Sequence, residues 1–377
     1  MKTDWTYQYT PEIGKIFDWE KITAEYDWVK LLQDTPQDPI YHAEGDVYIH
    51  TKMVLDELIQ LKSWQNLNQT DRSILFVAAL THDIAKPKCT EMIDGRISSP
   101  RHAMAGAKMV RSLIFRNELG KLPFEAREKI IDLVRYHGLP LWFLEKQNPE
   151  KYVIKVSQNL NLEHLAILAE ADVRGRICND QENLLDKVAL FRDFSEELNC
   201  VDQPFQFENN LARFIYFYKD DSSPHYVPFD DYKFEVILLV GLPGSGKSTW
   251  VKESKINYEQ ICLDNIRKSL RISPKGNQGK VIQAAKTLAK TFLRKKQSFI
   301  WNATNLQKSR REKLINLFTA YHANVRIVYV ESDYKTLLKR NKTREHPIPS
   351  KVLERFINGF EVPRNYEVRV LDIEVTE

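Results

Sequence analysis

The chain reads as two domains: an all-α helical bundle over residues 1–222, then an α/β domain with a parallel sheet over residues 223–377. Three observations carry this. A chain of 377 residues exceeds what one ordinary hydrophobic core supports. Apolar residues follow helical spacing up to about residue 218, and alternating β patterns are scarce before residue 230. Beyond that point, strand-length apolar runs alternate with helical stretches, as in a parallel sheet covered on both faces. The junction is Lys219-Asp-Asp-Ser-Ser-Pro224 and the polar, proline-bearing text to Asp231.

In order, residues 1 to about 45 hold aromatics and turn signals (Thr35-Pro36, Asp38-Pro39) and are expected to wrap the helical domain. From Val47, Ile49, Met53, Val54 and Leu58 repeat at helical spacing. After a polar break at Asn66 to Asp71, Ile74, Val77, Ala78 and Ile84 continue it. Further helical periods fall at about 102–118, 125–137, 149–159, 163–173, 183–199 and 207–218. The second half supplies strand candidates at Phe234–Val240, Gln260–Leu263, Ser298–Trp301, Val325–Val330 and Val368–Ile373.

The first of these strands empties into Gly241-Leu-Pro-Gly244-Ser245-Gly246-Lys247-Ser248-Thr249, a complete P-loop. Its glycines let backbone N–H groups turn around a phosphate, Lys247 reaches the β and γ phosphates, and Ser248 offers a hydroxyl to Mg²⁺ at a helix N-terminus. Gly241, Gly244, Ser245, Gly246, Lys247, Ser248 and Thr249 are therefore candidate contacts for ATP or another NTP. Strand before and helix after make a chance glycine-rich turn a poor explanation.

No apolar run is long enough to span a bilayer, and MKTDWTYQYT has neither the basic nor the apolar region of a signal peptide, so a cytoplasmic protein without a membrane partner is expected. Cys89, Cys178, Cys200 and Cys262 lie far apart, which argues against a disulfide framework and a thiolate zinc site. The net charge of +4 conceals a division: residues 231–377 carry 28 Lys and Arg against 15 Asp and Glu, and residues 1–230 are net acidic. Between Asn265 and Arg311 stand thirteen basic residues and no acidic one. A solvated helix face gives the same pattern, but its place directly after a P-loop favours a nucleic-acid partner.

His50, His82, Asp83, His102, His137 and Asp172 all fall on expected helices of the first half. A lone histidine on an apolar helix is usually a satisfied core residue; six such residues converge only if the helices pack in one bundle, a known setting for metal sites. Imidazole and carboxylate suit Mn, Fe, Co, Ni, Cu or Zn.

The local text is more specific. Thr81-His-Asp-Ile-Ala-Lys-Pro87 resembles the signature of HD-domain phosphohydrolases. That resemblance implies one metal held with His50 and Asp172, a second completed by His102 and His137, and Asp83 bridging the two. Two ions of this kind activate a water and clamp phosphate oxygens. His42-Ala-Glu-Gly-Asp-Val-Tyr-Ile-His-Thr51 and Glu170-Ala-Asp-Val-Arg-Gly-Arg176 are similar to segments of the HD domain attached to bacterial CCA-adding tRNA nucleotidyltransferases, over roughly residues 40–176. This implies hydrolysis of 2′-phosphates and 2′,3′-cyclic phosphates. The chain departs at Lys86-Pro87, where many HD proteins have Gly-Lys; Lys86 is taken as a phosphate contact. Arg101 is open between a substrate contact and a salt bridge.

In the second half, Asp264 follows the second short strand, where a phosphotransferase needs a carboxylate to take the proton of the attacking hydroxyl. A helix N-cap is the structural alternative. Arg340 and Arg344, four apart on a helix, are placed to close over ATP and neutralise developing charge. These residues resemble phage-type 5′-polynucleotide kinases, in which D-x-x-R supplies the base and an arginine for the acceptor (here Asp264 and Arg267), and R-N-x-x-R is the lid (Arg340 and Arg344). Asn302-Ala-Thr-Asn305 stands where such kinases carry an Asp-x-Thr-Asn-like turn, without its Asp. The domain order resembles bacterial HD-Pnk proteins, bifunctional enzymes of RNA end healing. It implies ATP-dependent phosphorylation of 5′-OH RNA or DNA ends, removal of 2′-phosphate or 2′,3′-cyclic phosphate, and action alongside a ligase. The rivals are an HD nucleotide hydrolase fused to a nucleoside or sugar kinase, which has no need of the basic surface, and a non-catalytic nucleotide-sensing module.

Overall fold

The computed structural model describes residues 5–273, 276–344 and 347–376. The chain divides into two compact units, Met1–Gln206 and Phe207–Glu377. The division falls before the polar junction at 219–231, because the helix Asn210–Tyr218 belongs with the second unit. There Phe217 packs on Tyr366, with ring centroids 5.7 Å apart, and Arg213 donates to the Arg369 carbonyl at 3.2 Å. Its apolar period looks like one more bundle helix; only packing assigns it.

In the helical unit the N-terminal aromatics wrap the bundle, with Tyr7 and Phe17 both against Phe76. Asp46 caps the helix Val47–Gln60 by accepting from the Ile49 N–H. The buried face of that helix is Val47, His50, Thr51, Val54, Leu55 and Leu58. Ile49 is exposed and Met53 half-buried, so the inward stripe is rotated from the apolar spacing, and His50 lies inside it. The helix Gln69–Thr81 is buried continuously from Ser73 to Thr81 and forms the bundle centre. Helices His102–Phe115, Phe124–Tyr136, Pro149–Ser157, Leu162–Arg174 and Gln181–Glu197 complete the unit close to their expected positions. This half is not wholly α: β1 (Glu91–Ile93) and β2 (Arg96–Ser98) form an antiparallel hairpin. Its turn is Asp94-Gly95, both at positive φ (+50° and +76°), and that dipeptide was the available hairpin signal.

The second unit holds a five-stranded parallel sheet of β3 (Phe234–Val240), β4 (Glu259–Cys262), β5 (Phe299–Asn302), β6 (Ala323–Ser332) and β7 (Val370–Thr376), in the order β4-β5-β3-β6-β7. All of β3 but Glu235 is buried, which is why it reads as a nearly continuous apolar run. Chain order reverses beside β3, so its carboxyl end opens at the switch point where ligands of such sheets bind. No helix among the described residues is long and apolar enough to cross a membrane.

Arg311, the last of the thirteen basic residues that begin after Asn265, is fully buried. It pairs with both Glu367 carboxylate oxygens (2.7 and 3.0 Å) and donates to the carbonyls of Asn305, Leu306 and Glu361. It is therefore a clasp inside the fold and faces no polyanion. Arg311→Met strands a buried carboxylate and is expected to destabilise the unit by about 3 to 5 kcal/mol, read as a fall in urea midpoint. The double change with Glu367→Leu is expected to recover much of that loss.

Candidate functional site

Four helices and the segment after Thr81 bring His50, His82, Asp83, His102, His137 and Asp172 together inside the helical unit. His82 and His137 each close a helix, and His102 opens one. Each of these three directs Nδ1 at the carbonyl three residues back: His82 at Ala79 (2.7 Å), His137 at Val134 (2.8 Å) and His102 at Ser99 (2.7 Å). His50 directs Nδ1 at Glu44 Oε1 (2.9 Å) and the Gly175 carbonyl (3.3 Å). A carbonyl only accepts, so Nδ1 carries the proton and the Nε2 lone pairs point into the cluster.

Those lone pairs meet no donor. His50 Nε2 lies 3.1 Å from Asp172 Oδ1, His82 Nε2 3.2 Å from Asp83 Oδ2, and His102 Nε2 3.4 Å from Asp83 Oδ1. The Nε2 atoms of His102 and His137 face each other at 3.3 Å. His50 Nε2, His82 Nε2 and Asp83 Oδ1 are buried without a hydrogen-bond partner. A cation between such facing acceptors would satisfy them. Among these six residues the ligand atoms form two sets, His50-His82-Asp83 and Asp83-His102-His137, each within 4.8 Å and sharing Asp83, so the residues present fit divalent metals; His42, Glu44 and His50 form a further set beside them.

The electrostatics agree. Burial alone would raise the Asp83 carboxyl, but His82, Lys86 and His102 hold it well below the usual carboxylate range. Burial acts likewise on Asp172, and Arg176, His50 and His82 hold it ionised. Burial disfavours a charged His82, yet Asp83 and Asp172 raise its pKa, a sign that the site calls for positive charge. His137 is pushed down to about 3 by burial, with His102 and His82 adding to it, and stays neutral.

Lys86 Nζ donates to Asp83 Oδ2 (2.7 Å) and to Gln37 Oε1 (2.6 Å), at the edge of the cluster. Asp172 accepts two bonds from Arg176 (3.1 and 2.6 Å). Arg101 is exposed at φ +59° and makes no ion pair with another described residue. Sequence reasoning assigned no role to Gln37, His42, Glu44 or Arg176. His42, Glu44 and Arg176 lie inside the two segments that carry the resemblance, whereas nothing in the text marks Gln37.

In the second unit the turn after β3 requires glycine first. Gly241 has φ +154°, and a Cβ there would stand 2.2 Å from the Val330 carbonyl oxygen. Gly244 and Gly246 also have positive φ. The helix Lys247–Glu253 begins at the end of this turn, with Ser248 and Thr249 exposed and Ser245 buried, its Oγ unpartnered. Lys247 Nζ donates to the Gly241 and Leu242 carbonyls, 2.8 Å each. The Asn302–Asn305 turn braces the loop: Asn305 donates to the Leu239 carbonyl at 2.7 Å, and the Thr304 carbonyl accepts from Gly241 N at 3.0 Å.

Asp264 is exposed and paired with Arg267. It is not an N-cap, because the helix Leu263–Ser269 starts one residue earlier with Cys262 in that position, and its side chain makes no capping bond. Burial lowers the pKa of Lys247 to about 7, with Asp264 opposing the shift and Arg344 adding to it. Arg340, on the helix Tyr334–Thr343, donates from Nη1 to the Gly244 carbonyl at 3.2 Å. Arg344 does not share that helix: it ends it with extended backbone (φ −78°, ψ 149°), so the two arginines approach from a helix and from the loop beyond.

Arg267 also donates to Gln278 Oε1 at 2.9 Å, at the start of the helix Gln278–Arg294. That helix buries Val281, Ala285, Ala289 and Leu293. Its other faces carry Lys280, Lys286, Lys290 and Arg294, followed by Lys295 and Lys296, none ion-paired to another described residue. Lys275 lies outside the described residues.

Together these features define a protein that joins a helical histidine–carboxylate centre to a P-loop α/β domain. The family model described as HD domain matches residues 47–161, and that described as AAA domain matches residues 236–363. The chain thus carries an HD domain followed by a P-loop, kinase-like domain. Asp172 falls beyond the matched HD residues and joins the centre by geometry. An L-seryl-tRNA(Sec) kinase of Methanococcus maripaludis is 31% identical over 135 residues, 34% of this chain and 53% of that protein. The Multifunctional CCA protein of Thioalkalivibrio sulfidiphilus is 32% identical over 155 residues, 39% of this chain and 34% of that protein. The human heterogeneous nuclear ribonucleoprotein U-like protein 2 is 30% identical over 147 residues, 34% of this chain and 20% of that protein. The chain spans about half the length of the first of these curated relatives and less of the other two.

Proposed function

We propose that the protein heals broken RNA ends, its second unit phosphorylating a 5′-OH polynucleotide with ATP and its first removing a terminal 2′-phosphate or 2′,3′-cyclic phosphate. The observation that carries the polynucleotide reading is the continuity between Asp264, Arg267 and Gln278 and the basic faces of the helix Gln278–Arg294. A small neutral acceptor has no use for such a surface; a chain of phosphates has. Among the relatives, one is named for tRNA and one for ribonucleoprotein, which supports the same reading.

In the kinase step Lys247 would leave its two loop carbonyls for the nucleotide phosphates, Ser248 would hold Mg²⁺, and free amides of the loop between Gly244 and Thr249 would cradle the phosphates. Asp264 takes the proton of the attacking 5′-hydroxyl, Arg267 orients the acceptor, and Arg340 and Arg344 cover the transferred group. In the HD centre His50, His82, Asp83 and Asp172 would hold one divalent ion and Asp83, His102 and His137 a second, of the Mn, Ni, Co, Cu or Zn type. When bound, such ions supply an activated water and neutralise charge on the phosphate. Lys86 steadies Asp83 and presents its ammonium to a phosphate oxygen at the rim. RNA cleaved by transesterification carries a 5′-OH and a 2′,3′-cyclic phosphate, and the products of these two activities are the ends a ligase joins.

The test offers a labelled oligonucleotide with a 5′-OH and a 2′,3′-cyclic phosphate, with and without ATP. ATP-dependent gain of a 5′-phosphate and metal-dependent loss of the cyclic phosphate are expected. Kinase activity on long acceptors should fall steeply with salt, and Arg267→Glu should raise the acceptor KM with little change in that for ATP. Equal phosphorylation of a free nucleoside, without salt dependence, would replace this reading with the small-molecule kinase.

A further inference from the structure

Glu44 lies outside the six-residue centre, yet its side chain is completely buried beside it. One carboxylate oxygen, Oε1, faces Nδ1 of His50 at 2.9 Å and Nδ1 of His42 at 2.8 Å. The other, Oε2, accepts from the Ile177 N–H at 2.9 Å. The Ala43 N–H in turn donates to the Ile177 carbonyl at 2.9 Å, which fixes the segment bearing Glu44 against the one following Asp172 and Arg176. The His42 and His50 rings lie edge to face, 4.8 Å between centroids. His82, His102 and His137 obtain their Nδ1 acceptor from a backbone carbonyl within their own turn. His50 lies in the first turn of its helix, and the backbone carbonyl its Nδ1 meets, Gly175, comes from another segment at 3.3 Å. The Glu44 carboxylate, at 2.9 Å, is the closer of the two acceptors beside Nδ1 and the only charged one.

We propose that Glu44 is the positioning residue of the HD centre: it keeps the proton of His50 on Nδ1, aims Nε2 at the space shared with Asp83 and Asp172, and raises the basicity of that nitrogen as a metal ligand. This rests on the reading of the six residues as a divalent-metal centre. Because Glu44 serves His50 alone among the six, its loss acts on the ion that His50 binds and spares the one held by His102 and His137.

The experiment titrates the full-length, metal-stripped protein with Co²⁺ or Mn²⁺ by calorimetry and follows the His50 ring by ¹⁵N NMR. Glu44→Ala is expected to weaken one of two binding events by about 10 to 100-fold, the range for outer-shell changes. The second event stays within about 2-fold of wild type, and the ring shifts show His50 losing its single Nδ1–H tautomer. Glu44→Gln keeps an oxygen acceptor and is expected to recover most of the affinity and the tautomer. It also serves if the alanine variant unfolds. Parallel weakening of both events in Glu44→Gln together with a lowered melting temperature would mean that Glu44 only holds the fold. Wild-type affinity and tautomer in Glu44→Ala would also overturn the proposal. If wild type binds no divalent ion, the metal-centre reading itself fails, separately from the assignment of Glu44.

Discussion

Asp83→Ala is expected to abolish metal-dependent phosphatase activity and to strip metal from the protein. The two oxygens of Asp83 face different halves of the cluster, Oδ2 towards His50 (3.8 Å) and His82 (3.2 Å) and Oδ1 towards His102 (3.4 Å). Its loss removes a ligand from both sets and takes the adjacent negative charge from His82 and His102. A fall of at least about 100-fold in affinity is expected, since outer-shell changes alone reach 10 to 100-fold. His102→Ala or His137→Ala touches one set and is expected to lower content from about two ions per chain towards one. Elemental analysis after dialysis decides it. One ion in wild type, unchanged in both histidine variants, would leave a mononuclear centre of His50, His82, Asp83 and Asp172. Kinase activity is expected to stay within a few-fold in all of these variants, because no P-loop residue belongs to this cluster.

Lys247→Ala is expected to eliminate kinase activity while phosphatase activity stays within a few-fold. The ammonium is the cation of the P-loop, buried against two carbonyls of the loop itself. Burial lowers its pKa to about 7; Asp264 opposes the shift and Arg344 adds to it. Above pH 7 the nucleotide-free lysine is largely neutral, and nucleotide phosphates favour its charged form, so binding takes up a proton. Well below pH 7 the lysine is already charged and no uptake accompanies binding. Nucleotide affinity therefore weakens as pH rises through 7. Calorimetry at pH 8 in two buffers of different ionisation enthalpy measures the uptake, which should vanish in Lys247→Ala. Uptake equal in wild type and variant would assign the proton to another group. Loss of both activities in a folded Lys247→Ala protein would refute two separate sites.

Much of this molecule arises from local chemistry that needs no tertiary context. Gly241, Gly244 and Gly246 announce a turn only glycine makes, and a run such as Phe234–Val240 has no comfortable place except a buried parallel strand. The helices of the first half were legible from their 3.6-residue period, and His82-Asp83 from its text. Period alone misplaced the inward face of Val47–Gln60, where Ile49 is exposed and His50 buried, because apolar spacing does not say which of two adjacent stripes meets the bundle. It also could not tell that Asn210–Tyr218 packs with the α/β unit, or that Arg311 within a basic run is a buried clasp for Glu367. The sequence by itself determined the two chemistries, a histidine–carboxylate centre and a P-loop, since each depends on residue type at short spacing. The tertiary structure alone decided which atoms face the metal space. His50 receives its acceptor from Glu44 and shares the centre with Asp172 across more than a hundred residues, a convergence that only helix packing brings about.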